Sequence, residues 1–264
     1  MRILGFSQIR DMLVRLAPSR LSKEAARALK PDTDEDTVIK SLTDTEEAVV
    51  CLEKEGQIPL GGITDIRPFL EKAKREVTLS ADECIAVWEN AQRYGQIQDF
   101  FAPKEAEYPQ LSQRAETLGD FSLLVQRVGA VFDENHQVRD NASVELARLR
   151  TRIAELERRT KRYIQQILAD KSYQKYFQDT LVTVRNNRSV IPVKQEYRHA
   201  FPGIVHDMSA SGATLYVEPL AVVDANNDLQ TAKLAEEKEI ERIYRRLTAL
   251  IAGQYEELYK STMT

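Results

Sequence analysis

One stretch limits what this chain can become. Thr180–Pro219, TLVTVRNNRSVIPVKQEYRHAFPGIVHDMSASGATLYVEP, holds the only convincing strand pattern in the sequence. Leu181–Arg185 and Arg188–Lys194 are β-branched runs separated by Asn186-Asn187, two residues that tolerate positive φ and suit a tight hairpin turn. Gly203–Met208 and Ala213–Val217 repeat the pattern across Ser209-Ala210-Ser211-Gly212. Long, highly charged helical sequence lies on each side. The expectation is a compact β module held between an outgoing and a returning helix.

The first hairpin also places charge. A two-residue turn sets Arg185 opposite Arg188, and the strand period of two puts Arg185, Arg188 and Lys194 on one face. Like charges directly opposite destabilise a strand pair by a few tenths of a kcal/mol or more. A polyanion bound there would relieve the repulsion. A solvated edge whose cations block aggregation explains the same residues, and both readings stand at this point.

Composition narrows the partners. Net charge is −4, so a nucleic-acid site has to be a local patch. Thr180 to His206 carries four cations (Arg185, Arg188, Lys194, Arg198) against Glu196 alone. Ser143 to Arg162 carries seven (Arg148, Arg150, Arg152, Arg158, Arg159, Lys161, Arg162) against Glu145, Glu155 and Glu157. Basic charge thus collects on the β module and on the helix leading to it. Cys51 and Cys84 are far apart in helical sequence and read as small buried hydrophobes. Without an apolar leader or a run of roughly 18 apolar residues, a reducing cytoplasm and no membrane are expected.

Before the β module the chain reads as helices. Leu4, Phe6, Ile9, Leu13 and Leu16 have helical spacing broken at Pro18, and Leu21, Ala25 and Leu29 continue it to Pro31. Thr33-x-x-Asp36 resembles a capping box for a helix that Gly56 stops, and Ser80-Ala81-Asp82-Glu83 is a full one. Leu118–Phe132 is a further apolar helical stretch. From Ser143, Leu146, Leu149, Ile153, Leu156, Thr160, Tyr163 and Ile167 form a heptad seam in which only Thr160 is polar. Ser143 to Asp170 as one helix would be roughly 40 Å long. Ile240, Ile243, Leu247 and Leu250 supply a returning seam, so the pair reads as an antiparallel coiled-coil arm. Leu258 and Tyr259 are still in helical phase near the last residue, as expected of a piece of a longer protein.

Catalytic signatures are missing. There is no G-x-x-x-x-G-K-[ST] loop, and His136, His199 and His206 lack zinc-ligand spacing. His206-Asp207 near Ser209 and Ser211 only superficially resembles a hydrolase set, because adjacent strand residues point to opposite faces. Ser209–Gly212 could hydrogen-bond a phosphate, but reads more simply as a hairpin loop.

Pro59-Leu60-Gly61-Gly62-Ile63 with Asp65-Ile66-Arg67-Pro68 resembles the early motif of the second bacterial MutS family. So do Val182–Asn186 with Val190–Lys194, Pro202-Gly203-Ile204-Val205-His206-Asp207, Ser209–Thr214 and Glu218-Pro219. The resemblance covers essentially the whole chain, as the N-terminal portion of a longer member. It implies a helical core (1–135), an ascending lever helix (136–178), a β-containing clamp (179–219) and a descending lever helix (220–264). The fold class expected is mainly α with a small antiparallel β insertion.

The family lacks the mismatch-reading domain of the mismatch-repair proteins. It adds an ATPase and usually a nuclease-like domain, neither within these residues, so ATP and Mg belong outside this chain and no catalysis is expected of it. Its implied roles are binding branched DNA to suppress homologous recombination, and recognising stalled or collided ribosomes, as a homodimer. The leading expectation is a non-catalytic gripping arm that holds DNA or ribosomal RNA through Arg185, Arg188, Lys194, Arg198, Arg158, Arg159 and Arg162. The alternative is an interaction scaffold in which clamp meets clamp or ribosomal protein, with the cations merely solubilising.

Overall fold

The computed structural model describes residues 5–264; Leu4, counted in the first helical pattern, lies outside the described residues. The fold is mainly helical with a small antiparallel sheet, as expected. Two compact units divide the chain: residues through Arg139 together with Ile243–Thr264, and Asp140–Arg242.

The first unit contains α1 (Phe6–Leu16), α2 (Arg20–Ala28), α3 (Glu35–Glu55), α4 (Arg67–Lys74), α5 (Ala81–Phe101), α6 (Pro109–Glu116) and α7 (Ser122–Gly129). The break at Pro18 is real, and Ser19 then caps α2 through a reciprocal Ser19–Ser22 box that the serines left unannounced. The cap of α3 is one residue later than the Thr33 reading. Asp34 Oδ2 accepts from the Thr37 N–H at 3.0 Å, a carboxylate being the better partner for the positive end of the helix. Gly56 ends α3 at φ 72°. The Ser80 box is present as read, Ser80 N–H donating to Glu83 at 2.8 Å. Only Ser122–Gly129 of the Leu118–Phe132 stretch is helical.

Buried Asn90 pins the loop before α4. It accepts from Thr64 N–H at 3.0 Å and donates to Thr64 O at 2.8 Å, so the double-glycine segment has a structural role. Cys51 and Cys84 are buried and unbridged, and burial pushes the Cys84 thiol up to about 12.

The second unit is built from α8 (Val144–Ala169), the strands β1 (Thr183–Arg185), β2 (Arg188–Lys194), β3 (Gly203–Met208) and β4 (Thr214–Pro219), and the first part of α9 (Val223–Gly253). The last helix, α10 (Tyr255–Met263), returns to the first unit. Strand order is β1-β2-β4-β3, all neighbours antiparallel. Asn186 and Asn187 sit at φ 51° and 61°, the left-handed pair of a two-residue turn, and Arg185 pairs with Arg188. Leu181 and Val182 stay outside the ladder, which begins at Thr183 opposite Val190. At Gly203 the β3 backbone runs so close to β4 that a Cβ would lie 2.6 Å from the Glu218 carbonyl oxygen.

Ser143 caps α8 by accepting from Leu146 N–H at 2.9 Å. Its buried stripe follows the heptad reading to Thr160 and then departs from it. Ile164 and Leu168 are buried, while Tyr163 and Ile167 are half-buried. Up to Leu156 the helix faces α9, with Ile153 and Leu156 packed against Leu229 and Ala232. Beyond Thr160 it lies on the sheet, where Ile164 and Leu168 join Phe177, Ile191, Val193, Leu215 and Val217. A sheet needs a wider stripe than a coiled-coil seam, which shifts the phase. Within this unit the apolar partners of α8 on α9 are Leu229 and Ala232; Ile243 and Leu247 are buried in the other. Arg150–Glu236 at 2.8 Å, Glu157–Lys233 at 2.9 Å and Ser143–Glu239 at 2.7 Å complete the antiparallel pairing.

Thr160 Oγ1 is buried with no hydrogen-bond partner among the described residues. An unpaired buried hydroxyl costs stability that a methyl of the same shape does not. Thr160→Val is expected to stabilise the chain by about 1 kcal/mol, read as a higher urea midpoint with unchanged slope.

Candidate nucleic-acid interface

The polar face of the sheet is organised by a carboxylate without access to water. Glu218, on β4, is 0% exposed. Arg188 Nη1 reaches its Oε1 at 2.7 Å, Asn226 Nδ2 donates to the same oxygen at 2.7 Å, and His206 Nε2 meets Oε2 at 2.6 Å. An ionised carboxylate only accepts, so Nε2 carries the proton in that contact. Burial would raise the Glu218 pKa, but the bonds from Asn226, His206 and Arg188 outweigh it and hold it below its ordinary 4.5. Arg188 extends the cluster to Asn227 Oδ1 at 2.7 Å.

The neighbouring arginine is satisfied separately. Arg185 Nε lies 3.2 Å from Asp207 Oδ2, and its guanidinium sits 4.3 Å from the centre of the Tyr216 ring. The repulsion expected between Arg185 and Arg188 is therefore answered inside the molecule, one carboxylate for each. Lys194 Nζ is turned to the Lys175 carbonyl at 3.4 Å. Arg198 is exposed, with no carboxylate partner among the described residues.

On α8 the picture differs. Arg158, Lys161 and Arg162, with Glu155 and Gln165, line one open depression. All five are exposed, and Arg158 Nε donates only to its own helix, at Ala154 O. Arg159 turns the other way, Nε donating to Tyr163 OH at 3.1 Å with the guanidinium 5.4 Å from the ring centre. Of the six arginines and one lysine singled out from sequence, the depression brings together Arg158 and Arg162. Arg185, Arg188, Arg159 and Lys194 each have a partner within the molecule, and Arg198 is exposed. Lys161 completes the groove and was not among them, although spacing 158, 161, 162, 165 marks one helix face.

The other sequence candidates are used structurally. His206 serves Glu218 rather than a serine. The Ser209–Gly212 loop closes on itself: Gly212 N–H donates to Ser209 O at 2.8 Å, and Ser209 Oγ accepts from Thr214 N–H at 3.1 Å. Among the described residues no group of three or more His, Cys, Asp or Glu could hold a metal ion. No helix among them is long and apolar enough to cross a membrane.

No family model matches the chain. It is 38% identical over 99% of its length to a Geobacillus protein named endonuclease MutS2. Proteins of the same name from Symbiobacterium thermophilum and Acetivibrio thermocellus are 38% and 36% identical over 98% and 96% of the chain. The chain spans about a third of the length of the curated relatives it matches, 34%, 32% and 32% for these three.

Because the Glu218 pKa is lowered by folding, its contribution is fully present above the ordinary value of 4.5 and is lost as pH falls through the folded value. Stability is expected to drop on acidification below 4.5, and Glu218→Gln to flatten that limb. At neutral pH the same variant should lose about 2 kcal/mol, below the full cost of breaking a buried pair because Arg188 keeps some solvent access. Denaturant titrations at several pH values read both effects.

Proposed function

We propose, from the premise that this chain belongs to the second bacterial MutS family, that its part in the longer protein is to grip a nucleic-acid backbone without cleaving it. The observation that carries this is the groove on α8, where Arg158, Lys161 and Arg162 are exposed together and none has a carboxylate partner among the described residues. Charges arranged in this way take phosphates: they give affinity and position but read no sequence. Arg198, directly after the turn that follows β2, is a further exposed cation. Arg185 and Arg188 act in this reading as the frame of the clamp, holding the hairpins in register, more than as phosphate ligands. Branched DNA and ribosomal RNA offer the same phosphates, and both belong to the reading. The endonuclease named in the relatives is assigned to other residues of the longer chains, as are ATP and Mg.

A second reading, protein contact through the edges of the sheet, is favoured by a different observation. Leu181 and Val184 beside or on β1, and Ile204 and Met208 on β3, are 68%, 60%, 44% and 54% exposed on the two edges. Such edges suit an added strand or an apolar partner surface.

The two readings differ in their response to salt. Binding to duplex DNA, a four-way junction and a ribosomal RNA fragment is expected to weaken steeply with salt if phosphates are held. Replacing Arg158, Lys161 and Arg162 by Ala should reduce the slope of log K against log salt by roughly 0.9 for each duplex phosphate no longer neutralised. Absence of binding to all three at low salt would decide for protein contact.

A further inference from the structure

We infer that a cluster of tyrosines beside the sheet is a stacking platform for unpaired bases, so that the nucleic acid held by this chain is single-stranded where it crosses the clamp. This rests on the nucleic-acid reading above and names the form of its ligand. Tyr173 and Tyr176 lie in the segment between α8 and β1, and Tyr197 in the short helical turn Gln195–Tyr197 after β2. The ring centroids of Tyr176 and Tyr197 are 4.9 Å apart, and Tyr173 is 6.1 Å from Tyr176. Buried Phe201 packs edge-on against Tyr173 at 5.6 Å and Tyr176 at 6.5 Å, fixing the group from the core side.

The rings are held, yet not sealed. A tyrosine committed to a core has its ring covered and its hydroxyl partnered. Tyr173, Tyr176 and Tyr197 are instead half-buried, and their hydroxyls meet no hydrogen-bond partner among the described residues. Aromatic surface pre-ordered by ring-to-ring contact loses little further entropy when something flat lies on it. Cations rim the cluster: Lys175 Nζ is 5.1 Å from the Tyr176 ring centre, Lys194 Nζ reaches the Lys175 carbonyl, and exposed Arg198 follows Tyr197 directly. Of the carboxylates near it in sequence, Asp170 is turned onto the N–H and hydroxyl of Ser172 at 2.8 and 2.7 Å, while Asp179 and Glu196 stand against Lys175, Lys194 and Arg198.

Half-buried aromatic rings with cations close by match a nucleotide, which presents a π-face and a phosphate together. A duplex keeps its base faces stacked and cannot use them, whereas single strands, loops and junction branch points can. A purely apolar protein partner would leave the cations unanswered. The α8 groove supplies sequence-independent phosphate contacts, and the tyrosines supply preference for unpaired strands.

The test uses this chain and labelled oligothymidylate and oligouridylate of about 12 nucleotides, against a duplex of the same length, by fluorescence anisotropy. Tyr176→Ala combined with Tyr197→Ala is expected to weaken single-strand binding roughly tenfold or more while duplex affinity changes less than about twofold. Tyr176→Phe with Tyr197→Phe should keep single-strand affinity, because the ring face and not the hydroxyl does the stacking. Should the alanine pair fail to fold, irradiation of the wild-type chain with a 5-bromouridine oligonucleotide should give adducts at Tyr176 or Tyr197, located by mass spectrometry. Equal losses for both probes, unchanged single-strand affinity in the alanine pair, or crosslinks only elsewhere would overturn the platform; unchanged affinity would assign the patch to a protein. Duplex binding retained by the wild type in any of those outcomes leaves the backbone grip standing.

Discussion

A carboxylate sealed from water is tolerable only when several donors converge on it, and the β module is arranged around one such case. Glu218 draws Arg188 from β2, His206 from β3 and Asn226 from α9. Three elements distant in sequence are thereby tied to one pair of oxygens. Without that anchor, Arg188 would face Arg185 across the tightest part of the hairpin with nothing between them but solvent. With it, two short hairpins behave as a single four-stranded sheet, and the apolar face is free to pack on α8. The shape of the module therefore follows from an electrostatic demand as much as from its hydrophobic side.

Satisfying those arginines internally has a functional corollary. A cation already paired with a buried carboxylate offers less to an outside phosphate than one resting on its own helix, since the existing bonds must be given up. Surfaces that look equally basic in a residue count thus separate into structural and available charge. Aromatic partners lie between these extremes. Arg159 over Tyr163 and Lys175 beside Tyr176 are oriented by ring faces, with no carboxylate partner among the described residues.

Much of the fold was legible in the residues because its determinants are local. Asn186-Asn187 announces a left-handed turn, Ser143 and Ser80 announce helix starts, and alternating β-branched residues announce strands. What escaped was whatever depends on a neighbour distant in sequence. Heptad counting followed α8 only while it faced another helix, and slipped out of phase where the sheet takes over at Ile164. The pairing of Arg188 with Glu218 spans 30 positions, and no spacing rule connects them. Charge alone does not separate Arg162, which is exposed, from Arg188, which is occupied by Glu218. Lys161 could have been found by helical spacing alone; the tyrosines could not, because Tyr173, Tyr176 and Tyr197 meet only after β2 has paired.

Asn226 carries a consequence of its own. Ser189 is a non-hydrogen-bonded neighbour of Val184 in the first hairpin, so its N–H and C=O point away from β1, toward the side where Pro219 ends β4 and can offer no N–H. The Asn226 amide fills that place, accepting from Ser189 N–H at 3.4 Å and donating to Ser189 O at 3.2 Å while also holding Glu218. A side chain has become the missing rung of a ladder. The first turn of α9 is in this way locked to the strands: shifting the helix by one residue would swing the amide through about 100° and disengage it from Ser189 and Glu218 together.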